Sequence, residues 1–496
     1  MGIAFRFFTF IFVVSFLSFS SDAAMPTEFK DWFPAEQRVS IRSMFKNISR
    51  TDAAPGCVVA SPSKNNPNYF YHWVRDAALT MNVVLEFYKK TLYPESKEAA
   101  MKRLLEYAAF SRTNQLTNNR SGNSDDLSGF GEPKFLADGG KFDGDWARPQ
   151  SDGPALRAIT LINLARILIQ NGQEMYVREN LYDGLVPSNT VIKADLQYVG
   201  TYWRAKTNDL WEEVNGDQFY TRMVQRKALI EGARFADEMR DGEAAKWYRG
   251  QAQAITAEIG RHWNPANGRI YATINQVGGL RTKTSGLDTA VILAVLHGDD
   301  GDGFFGPTDE RVLSTAYQLK REFIKNYAIN HDEKIPGIAI GRYPEDTYDG
   351  TDADFVNGRQ RETFGNPWFL TTLAFAELLY KAETDFRNAG QIKITPYNLA
   401  FFQDLLPSDQ FDPGMVISAG EEFFNRVVQA LRISGDGYLL RVAYHLNRET
   451  GAMSEQFNRQ TGIMQSATDL TWSYAAFLTA AWARPTVNDY LYQLTR

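Results

Sequence analysis

Apolar positions along most of the chain recur with the spacing of an amphipathic helix. In the segment between Asp152 and the stop signal Gly172, residues at i, i+3, i+4 and i+7 are apolar: Leu161, Leu164, Ala165 and Leu168. The same spacing predicts about twelve helices, beginning near Lys30, Asp76, Lys97, Gly153, Lys193, Asp217, Glu243, Leu287, Asp309, Trp368, Glu421 and Asp469. Short strand signals occur at 58–60 and 269–274, and neither belongs to a series that would build a sheet. The pattern predicts an all-α protein.

Alternate helices are preceded by loops that are rich in Trp, Tyr, Arg and carboxylates. These loops are 69–76, 146–149, 209–213, 365–368 and 454–456 with 470–472. The loop 285–288, before the eighth helix, shows this enrichment least. Successive helices joined by loops run antiparallel, so every even-numbered helix begins at the same end of the bundle. Six pairs closing into a ring would gather these loops around one concave pocket. The alternative is a set of ordinary helix–helix connections.

Composition excludes several kinds of ligand and cofactor for that pocket. The 496 residues carry a formal charge of −6 and a single cysteine, Cys57, and 13% of them are aromatic. The charge argues against nucleic acid as a partner. One cysteine excludes a disulfide framework, a thiolate cage and an iron–sulfur cluster, and the five histidines show no metal-ligand spacing. Gly301 to Gly306 has the letters of a dinucleotide loop, but it follows a helix and is acidic. We therefore expect no cofactor and no metal.

The first residues have the layout of a secretory signal peptide. Arg6 precedes an apolar run of 13 residues, 7–19, and small residues follow it. A membrane span needs about 20 apolar residues, so an uncleaved anchor is the less favoured interpretation. We predict a signal peptide over 1–23, export to the extracellular medium, and one catalytic domain over 24–496 that acts as a monomer without a membrane contact.

Catalysis by carboxyl groups is the remaining candidate for the chemistry of the pocket. Glu212 and Glu213 adjoin Leu210 and Trp211, which can desolvate one acid and keep it protonated. Glu455 lies in another loop of the same kind. A neutral and an ionised carboxyl group on one rim are what hydrolysis of a glycosidic bond requires. A Glu pair at a helix start is also a common complement of the helix dipole, so spacing alone leaves this alternative open.

Several long blocks carry a specific resemblance. They include Trp73-Val74-Arg75-Asp76, Asp209-Leu210-Trp211-Glu212-Glu213 and Ser454-Glu455-Gln456. The other blocks are 60–63 with 66–71, 131–135, 148–157, 341–346, 365–370 and 469–474. In these blocks, from about Pro55 to Thr479, the chain resembles the glucoamylases of glycoside hydrolase family 15.

The resemblance implies an (α/α)6 toroid with six inner and six outer helices. It also implies release of β-glucose from the non-reducing ends of starch, dextrins and malto-oligosaccharides, at α-1,4 and more slowly at α-1,6 bonds. On this pattern Glu212 matches the general acid and Glu455 the general base of an inverting reaction, whose carboxyl groups stand about 6.5 to 9.5 Å apart. The expected sugar-binding residues are Tyr69, Trp73, Arg75, Asp76, Trp146, Trp211, Glu213, Arg342, Trp368, Gln456 and Trp472.

Two departures from the family pattern bear on specificity. The stretch after the last helix is short, so we expect no separate starch-binding domain, which would need about 100 residues. The segment 347–365 is longer than in many relatives and could reshape the sites for the second and later glucose units. Two alternatives therefore stay open: a family member that acts mainly on α-1,6-glucans or trehalose, and a non-catalytic maltodextrin-binding protein. The presence of both Glu212 and Glu455 argues against the second.

Overall fold

The structure is a computed structural model that describes residues 27–183, 190–351, 355–356, 359–360 and 363–485. The predicted signal peptide, 1–23, lies outside the described residues. Twelve long helices and two short ones, α5 and α12, make up most of the rest. They are α1 (Thr27–Lys46), α2 (Val74–Lys90), α3 (Pro94–Leu116), α4 (Asp152–Gln170), α5 (Glu174–Tyr176), α6 (Val191–Tyr202), α7 (Phe219–Glu238), α8 (Gly242–Ile259), α9 (Ala290–Gly298), α10 (Glu310–Asn326), α11 (Phe369–Ala389), α12 (Leu399–Leu405), α13 (Glu422–His445) and α14 (Thr471–Ala483).

Six of the long helices close into an inner ring. Helix α2 packs on α4, α4 on α7, α7 on α9, α9 on α11, α11 on α14, and α14 returns to α2. The outer helices α1, α3, α6, α8, α10 and α13 pack on α14, α2, α4, α7, α9 and α11 respectively. The prediction of an (α/α)6 toroid is confirmed, and each of the twelve predicted helices begins within three residues of its observed start.

The sequences of the helices explain their places in the two rings. The inner helix α9 is apolar at nearly every position, and eight of its nine residues are buried. The outer helix α10 has one buried face, which includes Leu313, Leu319 and Phe323, and leaves its charged residues on the other. A helix surrounded by other helices needs apolar residues on all sides, whereas a surface helix needs them on one stripe.

Helix ends follow the signals in the sequence. The Asp309 side chain accepts a hydrogen bond from the backbone N–H of Arg311 and caps α10. Gly172, the predicted stop after α4, has a φ of +80°, which a glycine adopts without steric cost. Gly390 ends α11 in the same left-handed conformation, with a φ of +69°. No helix in the described ranges is both long and apolar enough to span a membrane.

The prediction about strands was partly wrong. Val58 makes only an isolated bridge to Ile48, and the segment 269–274 divides between two strands. The described strands are β1 (His72–Trp73), β2 (Lys134–Phe135), β3 (Thr207–Asn208), β4 (Val214–Gln218), β5 (Trp263–Asn264), β6 (Arg269–Ile270), β7 (Thr273–Gly279), β8 (Phe355–Val356), β9 (Arg359–Gln360), β10 (Gln391–Lys393), β11 (Val416–Ser418), β12 (Gln456–Phe457) and β13 (Met464–Gln465). Strand β7 joins β3 and β4 in an antiparallel three-stranded sheet, contrary to the expectation that no sheet forms there.

Candidate active site

A cavity of about 350 Å³ lies where the inner helices begin. Twelve of the thirteen residues selected from the sequence line it: Tyr69, Trp73, Arg75, Asp76, Trp146, Trp211, Glu212, Glu213, Arg342, Trp368, Glu455 and Trp472. Gln456 does not reach the cavity wall and instead contacts a residue that does. The loops before alternate helices therefore meet at one rim, as predicted.

A tight turn between β3 and β4 presents Glu212 to the cavity. The Asp209 carboxylate accepts hydrogen bonds from the backbone N–H groups of Glu213 (2.7 Å) and Val214 (2.9 Å). Glu212 itself has a φ of +68°, a left-handed conformation that non-glycine residues seldom adopt. The sheet and the Asp209 cap hold this turn, so the unusual backbone directs the Glu212 side chain into the cavity.

Only one oxygen of Glu212 accepts hydrogen bonds from the described residues. Its Oε1 atom accepts from Trp73 Nε1 at 2.8 Å and from Gln150 Nε2 at 3.0 Å. The Arg75 Nη2 atom lies 4.0 Å from the same oxygen. Oε2 is therefore the oxygen that is left to interact with a molecule in the cavity.

Arg75 forms the floor of the cavity together with three polar partners. Its Nη1 atom donates to Asp152 Oδ2 at 2.8 Å and to Gln150 Oε1 at 3.0 Å, and its Nε atom lies 3.6 Å from Asp76 Oδ2. Burial raises the pKa of Asp76 to about 6 despite the opposing charge of Arg75. The floor therefore offers a fixed guanidinium beside a carboxyl group that can lose or keep its proton near neutral pH.

Glu455 enters the cavity from the loop before α14 and is almost fully buried, with 1% of its surface exposed. Its Oε2 atom accepts hydrogen bonds from Gln456 Nε2 at 3.0 Å and from the Ser466 hydroxyl. Asn366 in turn donates to Gln456 Oε1 at 3.0 Å, which orients the Gln456 amide. Burial raises the pKa of Glu455 to about 7, and these hydrogen bonds to the carboxylate oppose the rise.

A buried ionic cluster supports the opposite wall. Arg342 lies 2.8 Å from Glu213 Oε1 and forms a two-pronged pair with Asp346, at 2.6 and 2.8 Å. Lys283 lies 3.4 Å from Glu213 Oε2, and the Tyr343 hydroxyl donates to that oxygen at 2.7 Å. Burial raises the pKa of Glu213, and the charges of Arg342 and Lys283 oppose that rise. Arg342 and Lys283 therefore favour the ionised form of Glu213, which its burial disfavours.

Aromatic rings cover the remaining walls. Trp211 meets Trp368 edge to face with ring centroids 5.7 Å apart, and Trp73 meets Trp146 in the same way at 5.9 Å. The Trp211 indole N–H donates to Asp288 at 2.7 Å, which fixes the plane of that ring. Such faces are flat, apolar and held in place by their neighbours.

Sequence reasoning missed Tyr348 as a wall residue. Its hydroxyl lies 2.8 Å from that of Tyr69, and its ring stands beside Trp368. Tyr348 follows the recognised block 341–346 by two residues, and that position was the available signal. It also missed Ser466 and Gln150, which act through Glu455 and Glu212. Gln150 lies in the recognised block 148–157, which was the available signal, whereas Ser466 lies in none of the blocks.

The long segment 347–365 begins on the cavity rim. Gly350 has a φ of +81°, and a Cβ atom there would lie 2.3 Å from the Ser466 Cβ, so a glycine is required for this close approach. Gln465 Nε2 donates to the Asp349 carbonyl at 2.7 Å and holds the same turn. The effect of the segment on specificity stays a prediction, because much of 352–362 lies outside the described residues.

Comparison with known proteins agrees with this geometry. The chain matches the family model of Glycosyl hydrolases family 15 over residues 36–482. It is 39% identical to a glucoamylase of Blastobotrys adeninivorans over 95% of this chain and 75% of that protein, and 31% identical to an intracellular, sporulation-specific glucoamylase of Saccharomyces cerevisiae over 90% and 83%. The solved glucoamylase of Saccharomycopsis fibuligera superposes with a TM-score of 0.82 at 32% identity, over 92% of this chain and 96% of that one. The chain therefore belongs to glycosyl hydrolases family 15 and is a glycoside hydrolase.

Proposed function

We propose that this protein is a glucan 1,4-α-glucosidase that removes glucose, one unit at a time, from the non-reducing ends of starch and malto-oligosaccharides. The arrangement of Glu212 and Glu455 in one cavity carries the proposal. Their loops precede α7 and α14, which stand three places apart in a ring of six and so face each other across the cavity. Two carboxyl groups facing each other across a sugar can protonate the leaving oxygen and activate water in a single displacement.

Glu212 is the general acid in this proposal. Trp73 and Gln150 both donate to its Oε1 atom, so a proton on the carboxyl group resides on Oε2, the oxygen free to meet the glycosidic oxygen. The positive φ of Glu212 is consistent with a side chain that must be placed accurately. The acid acts at the bond between the first and second sugars.

Glu455 is the general base. Ser466 and Gln456 donate to one carboxylate oxygen and favour the ionised form, in which the other oxygen can accept a proton from water. Because water attacks from the face opposite the leaving group, the product is the β-anomer. The same two hydrogen bonds fix the rotation of the carboxylate.

The first sugar occupies the deep end of the cavity. Arg75 and Asp76 hydrogen-bond its outer hydroxyl groups, and Arg342 and Glu213 contact it from the other side. The apolar faces of its ring pack on Tyr69, Trp73 and Trp211. Trp146, Trp368 and Trp472 complete the walls, and Gln456 acts through Glu455.

The direct test is the product formed from soluble starch and from maltoheptaose, isomaltotriose and trehalose. From the first minute we expect glucose as the only small sugar released from soluble starch, and glucose with maltohexaose from maltoheptaose, which should react fastest. NMR of the first-formed glucose should show the β-anomer. An initial α-anomer would contradict inversion. Preferred cleavage of isomaltotriose or trehalose would favour the alternative specificity, and binding without hydrolysis would favour a maltodextrin-binding protein.

Ser466 sets the acid limb of the pH profile. Activity requires ionised Glu455 and is lost as the pH falls through its pKa. Replacing Ser466 by Ala removes a donor to the carboxylate, so the pKa of Glu455 rises and the acid limb of kcat/KM moves to higher pH, by about one pH unit. Initial rates on maltose across the pH range measure this limb.

A second substitution distinguishes the effect of losing the hydroxyl group from an effect on the backbone. Ser466 has a φ of +69°, which costs serine and alanine about the same and glycine little. If the lost hydrogen bond alone sets the shift, Ser466→Ala and Ser466→Gly should move the limb equally. A shift in the glycine variant alone would show that the change in the backbone, and not the hydrogen bond, is responsible.

We also propose that residues 1–23 direct export and are then removed, and that the mature chain acts as a monomer outside the cell. The layout of charged, apolar and small residues in the leader supports export. Expression with the leader, followed by N-terminal sequencing of the protein in the medium, tests it. Retention of the protein in the cell, as for the intracellular yeast relative, or an intact leader on the recovered protein, would contradict the proposal.

A further inference from the structure

A second cavity, of about 360 Å³, lies on the ring axis at the opposite end of the inner helices. We call it the rear cavity. Every inner helix contributes to its walls, through Val83, Ile159, Lys227, His297, Lys381 and Trp482 among others. Leu370 and Trp472 line both this cavity and the candidate active site. A volume of this size suits a small molecule.

Lys227 is the unexplained group in this cavity. It lies in the middle of α7, so it does not complement the negative end of a helix dipole. Among the described residues it makes no hydrogen bond and no ion pair. Three acids act on it through their charge. Asp300 pairs with Arg234, Glu231 pairs with Arg166 and Arg234, and Asp299 accepts a hydrogen bond from the backbone N–H of Gly301. Burial and the charge of Lys381 lower the pKa of Lys227, as expected for an ammonium group without a counter-ion.

Lys381 and His297, which also line the rear cavity, already have partners. Lys381 lies 2.8 Å from Glu377, which also accepts a hydrogen bond from Thr479. His297 shares a hydrogen bond with the Tyr220 hydroxyl at 3.0 Å, and burial lowers the pKa of His297 to about 3, so it is neutral. Glu86 pairs with Lys89, and the exposed Lys90 lies over the Trp482 ring. Lys227 is therefore the partly buried positive charge that remains to be matched.

Most of the remaining lining is apolar, apart from Asn82 and Thr160. Alkyl side chains from four inner helices surround the space, and two indole rings close it: Leu79, Val83, Leu156, Ile159, Leu293, Leu296, Leu370, Trp472 and Trp482. A sugar would leave most of its hydroxyl groups without partners against such walls. An alkyl chain would bury its surface there, and a single anionic group would neutralise Lys227.

We propose that the rear cavity binds a small amphipathic carboxylate, with its carboxylate on Lys227 and its alkyl chain between the apolar walls. The site is distinct from the hydrolytic one, although Leu370 and Trp472 line both cavities. Binding gives the ammonium group of Lys227 an ion-pair partner and stabilises the folded protein by mass action.

Octanoate and the neutral octan-1-ol form a matched pair of probes for the full protein. Isothermal titration is expected to give saturable binding of octanoate at least about tenfold tighter than that of octan-1-ol, as for one charge-assisted contact. This comparison needs no substitution. Absence of saturable binding, or equal affinity for the two probes, would overturn the proposal.

Substitution of Lys227 tests where octanoate binds. Lys227→Met keeps the apolar bulk and is expected to abolish the preference for octanoate while it leaves octan-1-ol binding and starch hydrolysis unchanged. Lys246→Met, at an exposed lysine on the outer helix α8, should leave the preference intact. Octanoate binding that persists in Lys227→Met, or that saturating maltose displaces, would mean that the molecule binds elsewhere and would refute the site.

Discussion

Glu212→Gln and Glu455→Gln are each expected to lower kcat on maltoheptaose by at least about a hundredfold. Glutamine keeps the size and polarity of the side chain but can neither donate the acid proton nor accept one from water. Substrate binding should survive, because neither substitution removes an aromatic wall or the Arg75 floor. Steady-state kinetics, with maltose binding measured by titration, distinguish loss of chemistry from loss of affinity.

A substrate with a better leaving group distinguishes the general acid from the general base. Fluoride departs without full protonation, so α-glucosyl fluoride needs less help from an acid than maltoheptaose does. We expect Glu212→Gln to retain activity on this substrate within about tenfold of the unmodified enzyme, whereas Glu455→Gln stays slow because water must still be activated. The reverse pattern would exchange the two assignments.

An exposed glutamate provides the control. Glu243→Gln, in the first turn of the outer helix α8, should keep full activity on both substrates. Circular dichroism melting of all three variants checks that the fold persists. Near-normal turnover of maltoheptaose by either cavity variant would remove that residue from the mechanism.

The helical framework could be predicted because its signals are local. Each long helix carries its own apolar stripe and end signals, such as Asp309 before α10 and Gly172 after α4, so its position needs no knowledge of the rest of the chain. The gathering of loops on one rim then follows from antiparallel connections. The individual lining residues were selected through the resemblance of these loops to the family.

The support beneath the Glu212 turn could not be predicted. Strands β4 and β7 consist largely of Asn, Gln, Gly and Asp, which have poor strand propensity and no apolar alternation. Their pairing joins Val214 to Gly279, a contact that no local pattern reveals. The partners of Lys283 and Ser466 are equally non-local, and such pairs become visible only in three dimensions.

The largest loss of stability is expected from Arg342→Leu. The guanidinium group is buried between Glu213 and Asp346, and its removal leaves two carboxylates without their main partner. Breaking a buried ion pair on one side costs about 3 to 5 kcal/mol of unfolding free energy. Lys283 contacts Glu213 at 3.4 Å and offsets part of this cost, so the lower end of the range applies to that carboxyl group. Urea unfolding at neutral pH measures the loss.

The loss should depend on pH in a defined direction. Burial raises the pKa of Glu213 and Arg342 opposes that rise, so without Arg342 the pKa of Glu213 rises further in the folded state. A raised folded-state pKa means that the penalty is fully present above that pKa and is relieved as the pH falls and the carboxyl group takes up a proton. Arg249→Leu, which breaks the exposed pair with Asp237, should leave the free energy of unfolding almost unchanged at every pH. An Arg342→Leu variant no less stable than Arg249→Leu would show that the buried cluster contributes nothing to the stability of this wall.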